Sequence, residues 1–157
     1  MPNILYESVI EVDERVIPFK NNSPFNATNR IVEAKNMEML EILKELDLKK
    51  LEKDLIDLRD NKNIKNIAVV LAHSYIYHDH EDKIGELASK LGFKNISLSH
   101  KLMPMIRLVP RGLTTCIDAY LTPCIKTYIK NFLSGFKNQD INVLFMQSDG
   151  GLTSVNK

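Results

Sequence analysis

The sequence predicts an α/β fold, with helices packed on a mixed, largely parallel sheet. Three observations point there. The apolar run Ile67–Ala72 has no polar alternation and suits a central strand buried on both faces. Two amphipathic helical patterns with recognisable caps lie either side of it, and a second short strand follows the second helix. The chain has 157 residues, enough for one domain with a sizeable core.

Taken in order, Ile4–Val16 sets Val9, Val12 and Val16 among acids at near-alternating positions, which predicts one or two half-buried strands. Residues 18–36 open with two prolines and several asparagines, so they read as a loop or insertion with no expected function. Asp47 is placed to cap a helix carrying Leu48, Leu51, Leu55 and Leu58 on one face and Lys50, Asp54 and Asp57 on the other. The buried strand 66–72 comes next. A helix from Asp79 turns Ile84, Leu87, Ala88 and Leu91 inward, has acids in its first turn and ends at Lys90 and Gly92. Asn95–Ser99 is a further strand, and the helix–strand–helix–strand succession implies parallel neighbours.

A third helix is expected from near Leu113, with Cys116, Ile117, Tyr120, Leu121, Cys124, Tyr128 and Phe132 at helical intervals. Pro123 either kinks it, at a cost of about 3 kcal/mol, or separates a helix ending at Tyr120 from one capped by Thr122. Ile141–Met146 is a strand delivering the turn Gln147–Gly151, and residues 141–157 read as the start of a further subdomain.

Charge is balanced, with 21 Lys and Arg against 20 Asp and Glu and a net charge of +1, so no field gathers nucleic acid or an anionic membrane. The longest apolar run is far short of the roughly 20 residues that span a bilayer. With no secretory leader and two cysteines in an apolar-periodic segment, the cysteines read as reduced packing groups and the location as cytoplasmic.

Chemistry can reside in three places. His73, His78, His80 and Glu81 cluster after the buried strand, but the spacing matches no zinc pattern, and no metal site is expected. The cluster is read as hydrogen-bonding polar groups, or as the lining of a cleft at a strand's carboxyl end, with His73, Ser74 and Tyr75 foremost. Met103–Gly112 embeds Arg107 and Arg111 among apolar residues and prolines, so Arg111 is expected either to pair internally with Asp118 or Glu81 or to bind an anion. Ser148, Asp149, Gly150 and Gly151 form a post-strand turn whose glycines let backbone N–H groups approach a phosphate.

Three groups of phrases, taken together, resemble the hydantoinase/oxoprolinase family, and within it the ATP-dependent oxoprolinases of eukaryotic type. They are Ile4–Glu7 with Val12–Val16; Leu71–Tyr75 with His80-Glu81; and Met103–Gly112 running into Asp118–Pro123, then Leu144–Leu152. They keep the family's order over nearly the whole chain outside the Asn-rich loop. The resemblance implies an actin/Hsp70-like ATPase fold, of which residues 1–157 would be one fragment. It also implies ATP-dependent opening of 5-oxoproline to glutamate in glutathione metabolism, with ATP and Mg2+ as cofactors. A lactam carbonyl resists attack because of amide resonance, and phosphorylating its oxygen removes that resistance.

Carried onto this sequence, Ser148, Asp149, Gly150 and Gly151 become the leading substrate- or phosphate-binding candidates, with Arg111 and His73 next and no catalytic base assigned. The family's glycine-rich phosphate loops are absent from these residues. The expectation is therefore a piece that is inactive alone, whose partners are the rest of the enzyme or a family subunit, with a homo-oligomer in the full enzyme. A non-catalytic interaction module, or another ATP-dependent hydrolase such as one acting on hydantoins, is the alternative.

Overall fold

The structure, a computed structural model, describes residues 4–20, 29–136, 143–146 and 148–154. The chain divides into two compact units, residues 1–120 and 121–157.

The first unit carries two small sheets. One is antiparallel, with strand β3 (Met39–Lys44) between β1 (Arg15–Pro18) and β2 (Arg30–Glu33). Leu40 and Ile42 of β3 point to one face and join Val16 and Ala34 in a buried cluster that Ile76 and Tyr77 cover. Glu41, one residue out of phase, is buried on the opposite face and accepts Asn29 Nδ2 at 2.7 Å. The connection from β2 to β3 turns at Met37, whose φ of 65° puts a non-glycine residue in the left-handed region.

The other sheet is the parallel pair β4 (Asn66–Val69) and β5 (Asn95–Leu98), in the register Asn66 to Asn95 through Val69 to Leu98. Helix α1 (Leu48–Asp60) starts where Asp47 accepts the backbone N–H groups of Lys49 and Lys50, and buries Leu51, Leu55 and Leu58. Helix α2 (Asp79–Lys90) connects β4 to β5. It ends in a paired closure, Gly92 N–H to Ser89 O and Phe93 N–H to Ala88 O, with Gly92 at φ 88°. The leucines of α1, Ile84 and Ala88 of α2, and Val69, Leu71, Phe93 and Leu98 form one core. Each of these side chains other than Ala88 contributes about 1.5–3 kcal/mol on burial. Gly85 lets α2 lie close on β5, because a Cβ there would sit 3.1 Å from Leu98 Cδ1.

Beyond the one-turn helix α3 (Ser99–Leu102) runs α4 (Leu108–Ser134), continuous through Pro123. The second unit's sheet is a hairpin of β6 (Leu144–Met146) and β7 (Leu152–Ser154).

Several expectations need correction. Among the described residues parallel pairing is confined to β4 and β5, and β3, with its Leu-Glu-Ile alternation, pairs antiparallel with both β1 and β2 instead of entering one large sheet. The loop expected over 18–36 contains β2, and residues 21–28 of it lie outside the described residues. Of the opening segment only Arg15 and Val16 enter a strand. Helix α4 begins five residues earlier than expected and is a single helix, and it buries Arg111, Thr115 and Ala119, not the apolar series read from periodicity. Ile141, Asn142 and Gln147 of the expected strand and turn lie outside the described residues.

Candidate functional site

The carboxyl ends of β4 and β5 lie side by side, as their parallel register requires, and the segments leaving them meet at one buried carboxylate. Glu81 occupies the first turn of α2 on the stripe that continues through Ile84 and Ala88, so the helix that builds the core also buries this acid completely. Its Oε1 accepts Leu71 N–H at 2.9 Å and Ser99 Oγ–H at 2.6 Å. Its Oε2 accepts His100 N–H at 3.1 Å and faces His100 Nδ1 at 2.8 Å. Burial pushes the Glu81 carboxyl up, but the donors from Ser99, His100 and Leu71 outweigh it and hold the group below its ordinary value. It is an ionised, fully coordinated anion. Ser74 Oγ extends the network, donating to Leu71 O at 3.0 Å and lying 3.1 Å from Ser99 Oγ.

The cation that answers this anion is Arg111, from the first turn of α4, also wholly buried. Its three hydrogen bonds go to backbone carbonyls: Met105 at 2.7 Å, Ala72 at 3.1 Å, and Leu71 through Nη2. Tyr75 lies with its ring centroid 5.7 Å from the guanidinium. The Leu71 peptide is thus gripped at both ends, its N–H by Glu81 and its C=O by Arg111. Neither carboxylate suggested from sequence binds Arg111 directly; Asp118 accepts Ser97 Oγ–H at 2.6 Å. Burial lowers the Arg111 pKa, and the field of Glu81 acts against that fall.

His73 follows this clamp by two residues. Its carbonyl accepts the N–H groups of Ile76 and Tyr77, closing a turn that presents the ring next to Tyr75, with centroids 6.0 Å apart. Its Nδ1 is buried without a hydrogen-bond partner. Burial, and then Arg15, hold the His73 pKa below 6.5, so the ring is neutral at neutral pH. Among the other histidines, His80 Nδ1 lies 2.7 Å from Glu14 Oε2, and His78 stacks on His100 at 4.5 Å.

In the second unit, Ser148, Asp149, Gly150 and Gly151 form the exposed turn of the β6–β7 hairpin. Gly150 has φ 84°, and Gly151 N–H donates to Asp149 Oδ1 at 2.8 Å. His73 and Arg111 belong to the first unit and the four turn residues to the second.

These groups do not fit a complete site for a nucleotide's phosphates. Such a site needs converging free N–H donors or cations. Here Gly151 N–H is committed to Asp149, and both terminal nitrogens of Arg111 are committed to carbonyls.

Sequence reasoning missed the Glu81–Ser99–His100 network. The signal was present in an acid three and seven residues before the buried Ile84 and Ala88, facing a Ser-His pair that follows a strand.

This pairing of a β4–α2–β5 unit with a clamped strand-end loop is that of an α/β domain built to present a loop at the carboxyl edge of its sheet. The chain belongs to the hydantoinase/oxoprolinase family: the N-terminal region of that family matches residues 1–92, and its hydantoinase/oxoprolinase region matches residues 111–157.

Similar proteins include the 5-oxoprolinase of Dictyostelium discoideum, 46% identical over 98% of this chain and 13% of its own length. 5-Oxoprolinase 1 of Arabidopsis thaliana is 47% identical over 96% of the chain, and the 5-oxoprolinase of Saccharomyces cerevisiae 37% identical over 98%; each is matched over 12% of its length. The chain therefore spans about an eighth of the curated relatives it matches. Among solved structures, the ATP-dependent caprolactamase of Pseudomonas jessenii superposes with a TM-score of 0.65 at 21% identity, over 85% of this chain and 20% of that one, which establishes a shared fold.

Proposed function

We propose that this chain is a segment of an ATP-dependent 5-oxoprolinase, the enzyme that opens 5-oxoproline to glutamate in glutathione metabolism, and that it is inactive by itself. The observation that carries this reading is identity of 37–47% to three 5-oxoprolinases across 96–98% of the chain. Cytoplasmic location accords with two free cysteines and with the lack, among the described residues, of a helix long and apolar enough to cross a membrane. The β4–α2–β5 unit is read as part of an actin/Hsp70-like ATPase fold, residues 1–157 as one fragment of it, and 141–157 as the beginning of a further subdomain.

In the assembled enzyme, His73 of the first unit is read as a contact for the small anionic lactam, and the Ser148–Gly151 turn of the second unit, taken by itself, as a substrate- or phosphate-binding turn. A neutral imidazole with an unsatisfied Nδ1 can donate to or accept from a lactam's amide. Arg111 and Glu81 act as positioning residues, because they fix the Leu71 peptide from which the His73 turn departs. ATP with Mg2+ would supply the phosphoryl group that activates the lactam oxygen, and the phosphate loops to hold it would come from the rest of the enzyme, read as a homo-oligomer in its full form.

The test is segment replacement. The matching 161 residues of the Dictyostelium discoideum enzyme are exchanged for this chain, and 5-oxoproline-dependent ADP release is measured for the chimera and for the isolated chain. An active chimera and an inactive isolated chain are expected. A folded chimera without activity, or robust turnover by the isolated chain, refutes the proposal.

A further inference from the structure

Two nitrogens at the strand-end loop are buried without a hydrogen-bond partner: Nε of Arg111 and Nδ1 of His73. Arg111 is wholly buried, and its Nη1 and Nη2 are committed to the carbonyls of Met105, Leu71 and Ala72. Its Nε–H is the donor left over. Folded chains rarely leave such a donor unmet, because its desolvation is then uncompensated, and an unmet donor on a cation marks a place where an acceptor arrives from outside.

The two nitrogens belong to one patch. Arg111 Nη2 donates at 3.1 Å to the carbonyl of Ala72, the peptide group that leads directly into His73. The Tyr75 ring lies next to both, its centroid 5.7 Å from the guanidinium carbon and 6.0 Å from the centre of the His73 ring. All three residues are in the first compact unit.

Their chemistry is complementary. Arg111 Nε–H donates and carries positive charge, so it calls for an anionic oxygen. His73 is a neutral imidazole, and with its proton on Nε2 its Nδ1 accepts an N–H. A cationic donor beside a neutral acceptor matches a carboxylate on the carbon next to an amide N–H. 5-Oxoproline has that arrangement, since its ring nitrogen and its carboxylate share one carbon. A lactam without the carboxylate meets His73 alone.

We infer that Arg111 and His73 form the subsite that selects a lactam bearing an adjacent carboxylate, with Arg111 Nε–H donating to the carboxylate, His73 Nδ1 accepting the lactam N–H, and the Tyr75 ring as the cover. This rests on the reading under Proposed function, and it gives Arg111 a direct contact besides its hold on Leu71. Tyr75 and His73 are half-buried, whereas Arg111 is wholly buried, so the two rings move aside as the lactam enters and the guanidinium stays fixed by its three carbonyls.

NMR of the 15N-labelled chain tests this, because the Arg111 Nε–H and the His73 ring nitrogens give signals of their own. 5-Oxoproline is expected to shift both in a saturable way. 2-Pyrrolidinone, the same lactam without the carboxylate, and N-methyl-5-oxoproline, which lacks the N–H, should each bind at least about tenfold more weakly. His73→Ala should weaken 5-oxoproline by a similar factor, whereas His73→Asn, whose Oδ1 replaces Nδ1 as acceptor, retains most of the affinity. Equal binding of 5-oxoproline and 2-pyrrolidinone overturns the inference. So does a spectrum in which 5-oxoproline moves neither signal, since the two nitrogens then hold only water. ADP release by the chimera is read separately: an inactive chimera beside a chain that selects the carboxylate defeats the functional reading alone, and an active one beside a chain without that selectivity defeats the subsite alone.

Discussion

Replacing Glu81 is the sharpest perturbation of the strand-end network. In Glu81→Gln the side chain keeps its size, but its amide N–H₂ must face two groups that also donate. If the oxygen stays with Leu71 N–H and Ser99 Oγ–H, the amide meets His100 N–H and Nδ1. Two buried donors lose their acceptor, at about 1–3 kcal/mol each, so a loss of about 2–6 kcal/mol is expected. That is a large part of the 5–15 kcal/mol typical of a folded domain, and at about 2–4 °C per kcal/mol it lowers the melting temperature by roughly 4–24 °C.

The pH dependence carries a sign. The folded-state pKa of Glu81 is depressed below 4.5, so its contribution is fully present above 4.5 and is lost as pH falls through the folded value. The gap in melting temperature between the native chain and Glu81→Gln should be wide at pH 7 and narrow progressively below pH 4.5. Differential scanning fluorimetry across pH 3–8 measures it. A gap under about 2 °C at pH 7, or one unchanged down to pH 3, would refute the picture of an ionised hub.

Arg111→Lys keeps the charge but cannot reach three carbonyls with one ammonium; a loss of about 2–4 kcal/mol is expected in urea unfolding, with faster amide exchange at Ala72–Ser74. The His73 ring should titrate below 6.5 when followed by NMR, and a midpoint at or above 6.5 would remove the neutral imidazole from the candidate cleft. Asp47→Ala removes the acceptor for Lys49 and Lys50 N–H and should cost about 1 kcal/mol by chemical denaturation, whereas Asp47→Asn should cost far less.

What the chain discloses before any coordinates follows from which forces are local. The cap at Asp47, the leucine stripe of α1 and the Gly92 closure depend on neighbours within a turn or two, and they fall where the residues place them. β1 and β3 depend on pairing partners up to 29 residues apart, at the pair Arg15 and Lys44, and the buried Glu41 disguises β3 as a surface segment.

Helix α4 misled for a different reason. Periodicity reports which face is apolar, and here the apolar face is the outward one. In the candidate site, His73 and Arg111 were legible as residues of interest, but the role of Arg111 was not. A buried guanidinium was expected to seek a carboxylate or an external anion, whereas the fold surrounds it with carbonyls and leaves the opposite charge on the far side of the Leu71 peptide.

The most direct measurement remains the segment exchange with the Dictyostelium discoideum enzyme. ADP release that depends on 5-oxoproline, in a chimera whose only copy of this region is the present chain, is the expected result, and it should vanish when the chain is assayed alone. A well-folded chimera that releases no ADP above a 5-oxoproline-free control would contradict the assignment.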